Sequence, residues 1–131
     1  YASQRGATSI LCLESIHGLS YSIKAAVNYL NTLEKPFRMI FMVADQPYIS
    51  MNTIDKLMHT KHKLASCAYK DKIGNPTLFD SSYIPELLLL KQDQGGRKVL
   101  NKHPDEVEYI QVENVRELYD IDYQEDLKQL Q

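Results

Sequence analysis

Residues 39–47 read Met-Ile-Phe-Met-Val-Ala-Asp-Gln-Pro. Met39, Ile40, Phe41, Met42 and Val43 form an unbroken apolar run with no alternation. Such a run suits a strand buried on both faces, as in the middle of a parallel sheet. It ends in a carboxylate, Asp45, and Pro47 then forbids further ladder pairing. In open α/β sheets, ligands sit at the carboxyl ends of the strands. The sequence therefore places Asp45 where a fold of this kind does its chemistry.

Working outward, the flanking pattern alternates helices with strands. Ser9–Leu13 reads as a short buried strand, and His17-Gly18-Leu19-Ser20 as a turn into a helix with Ser20 as N-cap. Leu19, Ile23, Val27, Leu30 and Leu33 recur at helical spacing until Pro36. After Pro47, Ser50 caps a helix carrying Ile54, Leu57 and Met58 and ending near Lys63. Leu64–Tyr69 reads as a strand, 70–76 as a turn-rich connection and Thr77–Phe79 as a short extended piece. Ser81 or Ser82 caps a leucine-rich helix, and Gln94-Gly95-Gly96 breaks the pattern before a short helix at 97–101. Val107–Val112 is a half-buried strand, Asp120–Asp122 a loop, and Glu125–Leu130 a closing helix. This alternation implies βαβ units, an α/β class and a mostly parallel sheet in a single domain over 1–131.

A chain of 131 residues buries about two thirds of its unfolded surface. The net charge of -2 argues against a nucleic-acid or membrane-surface role, since both leave a basic footprint. No apolar run reaches the roughly 20 residues of a membrane span, so a cytoplasmic location is expected. Cys12 and Cys67 lack metal spacing. A single disulfide remains open, but reduced core thiols accord with a cytosolic protein. The chain starts at Tyr1 and not at Met, which reads as processing or as part of something longer.

Several motifs are missing: the glycine-rich dinucleotide and P-loop fingerprints, the Gly-x-Ser-x-Gly elbow and Cys-x-x-Cys. His59 and His62 stand on a lysine-rich segment and read as a solvated face, as does the acidic stretch from Asp105 onward. Asp45 and Asp122 each follow an apolar segment. Mg²⁺ takes one or two protein carboxylates with phosphate oxygens and water, which suits such a pair. The same residues also read as a turn residue and as a helix N-cap with Glu125 completing a capping box. Gly18-Leu19-Ser20 opens a helix whose amide groups could face a ligand, or is an ordinary helix start.

Five segments, in order, resemble the nucleotidyltransferases of molybdenum cofactor maturation. Gly18-Leu19-Ser20-Tyr21-Ser22-Ile23 is similar to that family's Gly-Leu-Ser-x-Ser-Leu. Val43-Ala44-Asp45-Gln46-Pro47 matches Leu-x-Asp-Gln-Pro, and Gly74-Asn75-Pro76-Thr77-Leu78-Phe79 matches Gly-His-Pro-Val-Leu-Phe. Gly95-Gly96-Arg97-Lys98-Val99-Leu100 resembles Gly-Ala-Arg-x-Leu-Leu, and residues 120–127 resemble Asp-Ile-Asp-Thr-Pro-Glu-Asp-Leu. The nearest resemblance is to the cytidylyltransferase type, within the three-layer Rossmann-like nucleotide-diphospho-sugar transferase fold. Asn75 stands where His is usual, and Tyr123-Gln124 replace Thr-Pro. The family's opening Leu-Ala-Ala-Gly and Arg-Met-Gly…Lys loop has no counterpart after Tyr1, so the chain reads as the C-terminal part of an N-terminally truncated domain, with little turnover by itself.

The resemblance implies transfer of CMP from CTP to molybdopterin-bound molybdenum, with release of pyrophosphate. Asp45 and Asp122 would hold Mg²⁺ as the catalytic carboxylates. Gly18, Leu19, Ser20, Ser22 and Ala44 would line the nucleotide, and Asn75, Pro76 and Arg97 the acceptor. It implies small-molecule substrates and a molybdoenzyme or its chaperone as protein partner. A GTP-using guanylyltransferase and a transferase-like domain without catalysis are the nearest alternatives. A phosphoacceptor receiver domain also ends a strand in Asp before a nearby Pro, but its acidic pair and late lysine are not evident.

Overall fold

The computed structural model describes residues 6–120. Within them the chain forms two compact units, one of 6–36 with Ser82–Lys102, the other of Phe37–Ser81 with 103–120. The expected helix after Glu125, and Asp122 with it, lie outside the described residues.

The first unit is helical. Helix α1 runs Leu19–Leu30, α3 Ile84–Leu87 and α4 Gly96–Lys102. Ser9–Leu13, expected as a buried strand, is not one. Residues 9–12 are irregular, and Leu13–His17 forms a 3₁₀ turn with Leu11 and Leu13 exposed. A strand needs a ladder neighbour, and this segment has none among the described residues. Ser20 is also not the N-cap of α1. Gly18 occupies that position, and Ser20 is the second helical residue. The helix stops at Leu30, short of Leu33, which is exposed.

The second unit is a four-stranded sheet with one helix. Strand β1 covers Arg38–Phe41, β2 Leu64–Tyr69, β3 Lys72–Asp80 and β4 Val107–Gln111, in the order β1-β3-β2-β4. Helix α2, Met51–His59, begins at Ser50 as the sequence indicates, with the Ser50 hydroxyl accepting from the Thr53 amide at 3.1 Å. Strands β1, β2 and β4 run the same way, but β3 opposes them. Two of the three pairings are therefore antiparallel, and only β2–β4 is parallel. The mostly parallel sheet read from the sequence needs this correction. Lys70, in the left-handed region at φ 53°, turns the chain straight back from β2 into β3, so 72–76 extends a strand and is no connection.

β1 also departs from its reading. Met39 is buried, but the strand ends at Phe41, and Met42 and Val43 beyond it are exposed; β1 itself pairs with β3 alone among the described strands. The strand buried through both neighbours is β2, whose Leu64, Ala65, Ser66, Cys67 and Ala68 are all buried. Ile40, Leu78 and Ala65 form one cross-strand row, and Cys67 opposes Ile110 in the next. Leu57 of α2 packs in the same cluster, with Val112 and Leu118. Leu57 is fully enclosed, so Leu57→Ala should destabilise the domain by about 2–5 kcal/mol. Chemical denaturation reads this as a lower midpoint at unchanged slope. Neither cysteine is in a disulfide. Cys67 is a core residue, and Cys12 is half-buried with its thiol donating to the Tyr21 carbonyl.

Candidate active site

The carboxyl ends of β1, β2 and β4 share one edge of the sheet in the second unit, and three segments meet there. The first follows β1. After Phe41 the chain leaves the sheet and turns at Ala44-Asp45, leaving both residues exposed. The second is an irregularity in β3. Ser66 of β2 faces Thr77, but the next residue, Cys67, faces Gly74, so Asn75 and Pro76 are extra residues bulged out of the ladder. A bulge at the end of a sheet re-aims the strand, and such features gather beside active sites. The Asn75–Pro76 peptide is cis. Pro76 is fully buried, so the exposed part of this bulge belongs to half-buried Asn75. The third segment is the 3₁₀ turn Val115–Leu118, which leads to Asp120.

Gln46, the neighbour of Asp45, ties these three segments together. It is 9% exposed, and its side-chain amide donates to the Asn75 carbonyl at 3.0 Å and the Glu117 carbonyl at 3.1 Å. The Glu117 side chain turns the other way and docks on the start of α2. One carboxylate oxygen accepts from the Ser50 amide at 3.0 Å, the Ser50 hydroxyl at 2.8 Å and the Thr53 hydroxyl at 2.5 Å. A carboxylate there also meets the positive end of the helix dipole. Arg116 adds a second tie, its guanidinium 4.4 Å from the centre of the Tyr48 ring.

Glu117 is only 5% exposed. Burial alone would raise its pKa, but the bonds from Thr53, from the Ser50 amide and hydroxyl, and from the Glu113 backbone outweigh it. The carboxyl therefore sits below its ordinary value of 4.5. A lowered folded pKa stabilises the native state above the unfolded value, and that contribution is lost as pH falls through the folded one. In Glu117→Gln the deficit relative to the parent should therefore be full at pH 7 and shrink below pH 4.5. Urea midpoints measured across that window check the sign.

The remaining residues singled out by the sequence fall in the helical unit. Gly18 precedes α1 at φ +135°, and the carbonyl of Gln92 lies directly against it. The Ser20 amide donates to that carbonyl at 2.9 Å, so it is not available to a ligand. The Ser20 hydroxyl differs. It is fully buried and has no hydrogen-bond partner among the described residues. Buried polar groups are rarely left so, and each orphan calls for an explanation such as an absent ligand or water. Leu19 is exposed, Ser22 is half-buried on α1, and Arg97 is half-buried in the first turn of α4.

The structure thus brings Asp45 beside the Asn75–Pro76 bulge through Gln46. It places Gly18, Leu19, Ser20, Ser22 and Arg97 in the other unit. His59 is a solvated residue, its ring 3.4 Å from the Asp55 carboxylate, and His62 lies 3.8 Å from Glu108. No group of three or more His, Cys, Asp or Glu suited to a metal occurs among the described residues. One carboxylate with phosphate oxygens is nevertheless a sufficient protein share for Mg²⁺. Gln46 and Glu117 were missed by sequence reasoning. Glu117 lies in an acidic stretch that reads as solvated surface, and its partners Ser50 and Thr53 are more than sixty positions away.

The family model of the MobA-like NTP transferase domain matches residues 1–107. The chain belongs to this family. The mixed α/β architecture is the Rossmann-like NTP transferase fold. Solved structures agree on the fold. The crystal structure of Rv0371c from Mycobacterium tuberculosis H37Rv is 22% identical with a TM-score of 0.71, over 85% of this chain and 58% of that one. Its homolog from Mycobacterium sp. strain JC1 is 23% identical with a TM-score of 0.67, over 86% of this chain and 56% of that one. A manganese complex of the H37Rv protein is 20% identical with a TM-score of 0.70, over 98% of this chain and 71% of that one. The chain thus spans just over half the length of the first two structures. The search of curated proteins gives no match. No helix among the described residues of this domain is long and apolar enough to cross a membrane.

Proposed function

We propose that this NTP transferase domain belongs to a divalent-metal-dependent cytidylyltransferase that joins CMP from CTP to the phosphate of molybdopterin-bound molybdenum and releases pyrophosphate. The observation that carries the reading is the Asp45 carboxylate, exposed at the carboxyl end of β1 and held beside the Asn75 bulge by Gln46. Asp45 is the ligand of the cation, with Asp122 as the second carboxylate. Mg²⁺ bound there supplies positive charge to the phosphate oxygens of the nucleotide. The manganese complex of Rv0371c supports a divalent ion in this fold.

The chain's own residues then act by positioning and charge neutralisation. The acceptor's terminal phosphate oxygen attacks the α-phosphorus of CTP in line, a P–O bond forms, and the bond to pyrophosphate breaks. No covalent enzyme intermediate is required. Ser20, whose buried hydroxyl has no partner among the described residues, serves the nucleoside together with Gly18, Leu19 and Ser22, and Ala44 adjoins the metal-binding carboxylate. Asn75 presents an amide to the acceptor.

The test is pyrophosphate release by the complete polypeptide with Mg²⁺, molybdopterin-bound molybdenum and each nucleoside triphosphate in turn. CTP should give the highest kcat/KM. Preference for GTP would assign the guanylyl reaction instead. Nucleotide binding without release from any of the four would make the domain a binding module.

A further inference from the structure

The ties around Asp45 form a continuous path with a direction. Ser50 and Thr53, at the start of α2, hold the Glu117 carboxylate by three bonds. That fixes the Glu117 backbone, whose carbonyl receives one of the two bonds donated by Gln46. The other bond fixes the Asn75 carbonyl in the bulge. Gln46 is covalently the next residue after Asp45, and the bonds of its side chain constrain the turn that aims the Asp45 carboxylate. Ser50 N-caps α2 by accepting from the Thr53 amide, and its hydroxyl also lies 3.0 Å from the Thr53 hydroxyl. The helix start and the loop at the sheet edge are therefore one hydrogen-bonded body, buried at Thr53, Glu117 and Gln46.

We infer that Glu117 is a positioning residue, a buried carboxylate that sets the Asp45 turn and the Asn75 bulge through Gln46 and so governs the affinity of the Asp45 metal site. The inference rests on the reading of Asp45 as a metal ligand. A residue that merely capped α2 would hold the same three bonds, so stability cannot separate the two roles. Metal affinity can. Groups that orient a ligand from behind typically cost about 10- to 100-fold in metal affinity or activity when removed.

Mn²⁺ serves as the probe, its free fraction followed by electron paramagnetic resonance on the complete polypeptide, below the unfolding midpoint of each variant. Thr53→Val removes the hydroxyl bond to Glu117 and keeps side-chain volume, whereas Thr53→Ser keeps the hydroxyl. Thr53→Val should raise the Mn²⁺ dissociation constant about 10- to 100-fold, raise the metal concentration needed for half-maximal activity in step, and leave KM for the nucleotide at saturating metal unchanged. Thr53→Ser should restore the two values that Thr53→Val shifts. Glu117→Gln, nearly isosteric but uncharged, should weaken Mn²⁺ in the same direction, and it carries the comparison if Thr53→Val does not fold. Asp45→Asn is measured alongside. If it removes the Mn²⁺ site while Thr53→Val and Glu117→Gln bind Mn²⁺ as the parent does, Glu117 is a helix cap and the inference falls alone. If Asp45→Asn binds Mn²⁺ normally, the metal reading falls and takes the inference with it.

Discussion

Asp45→Asn should lower nucleotidyl transfer by about 10²–10³-fold, the loss seen when one preorganised electrostatic contact to a developing charge is removed. The thermal midpoint should stay within about 2 °C of the parent, because an exposed turn residue contributes little to packing. The two halves of the result belong together. Asp45 sits where β1 leaves the ladder, and the turn around it is held by the side chain of Gln46, not by its own. Its carboxylate is therefore spare for the fold and committed to the ligand. Steady-state pyrophosphate release measured beside a melting curve separates the two. Near-normal rates would return Asp45 to an ordinary turn residue before Gln46-Pro47.

Gly18→Ala should destabilise the helical unit by about 4 kcal/mol, combining a strained left-handed backbone with overpacking. That lowers the midpoint by about 15 °C in a domain of this size. A Cβ at Gly18 would lie 2.2 Å from both the carbonyl carbon and oxygen of Gln92, and 2.8 Å from the Asp93 nitrogen. These are backbone atoms that no rotamer change moves aside. Separating them would also break the bond from the Ser20 amide to Gln92 and displace the Ser20 hydroxyl. Gly6 is the built-in control: it has φ +86° and nothing within 4 Å of its Cβ position. Gly6→Ala should cost only the backbone strain, about 1 kcal/mol. If the two substitutions cost the same, the close approach of Gln92 is not what requires glycine at position 18.

Legibility in the sequence followed interaction range. Helix α2 was readable because its signals are local: Ser50 caps it, and Leu57 falls on the apolar face. The alternation of element types sufficed for the α/β class. Strand direction was not readable. The reversal of β3 depends on Lys70 adopting φ 53°, a conformation that lysine does not advertise, and on the two bulged residues Asn75 and Pro76. The apolar run before Asp45 misled for a related reason. Phe41, Met42 and Val43 have the composition of an inner strand, but burial depends on neighbours that lie elsewhere in the chain. Asp45 could be picked out because it interrupts that run. Glu117 could not, because one acidic residue among several reveals its burial only through partners on α2. Ser20 lies between these cases: its place at a helix start was legible, and its hydroxyl, without a partner among the described residues, was not.

The central claim is that the Asp45 carboxylate holds a nucleotide-bound cation at the carboxyl end of β1. A crystal of the complete polypeptide grown with Mn²⁺ and a non-hydrolysable CTP analogue tests it, because manganese can be located by its anomalous scattering. The account predicts a manganese peak in direct coordination with an Asp45 carboxylate oxygen and bridged to the phosphates of the analogue. Manganese bound to the phosphates without Asp45, or an analogue seated elsewhere on the molecule, would contradict it.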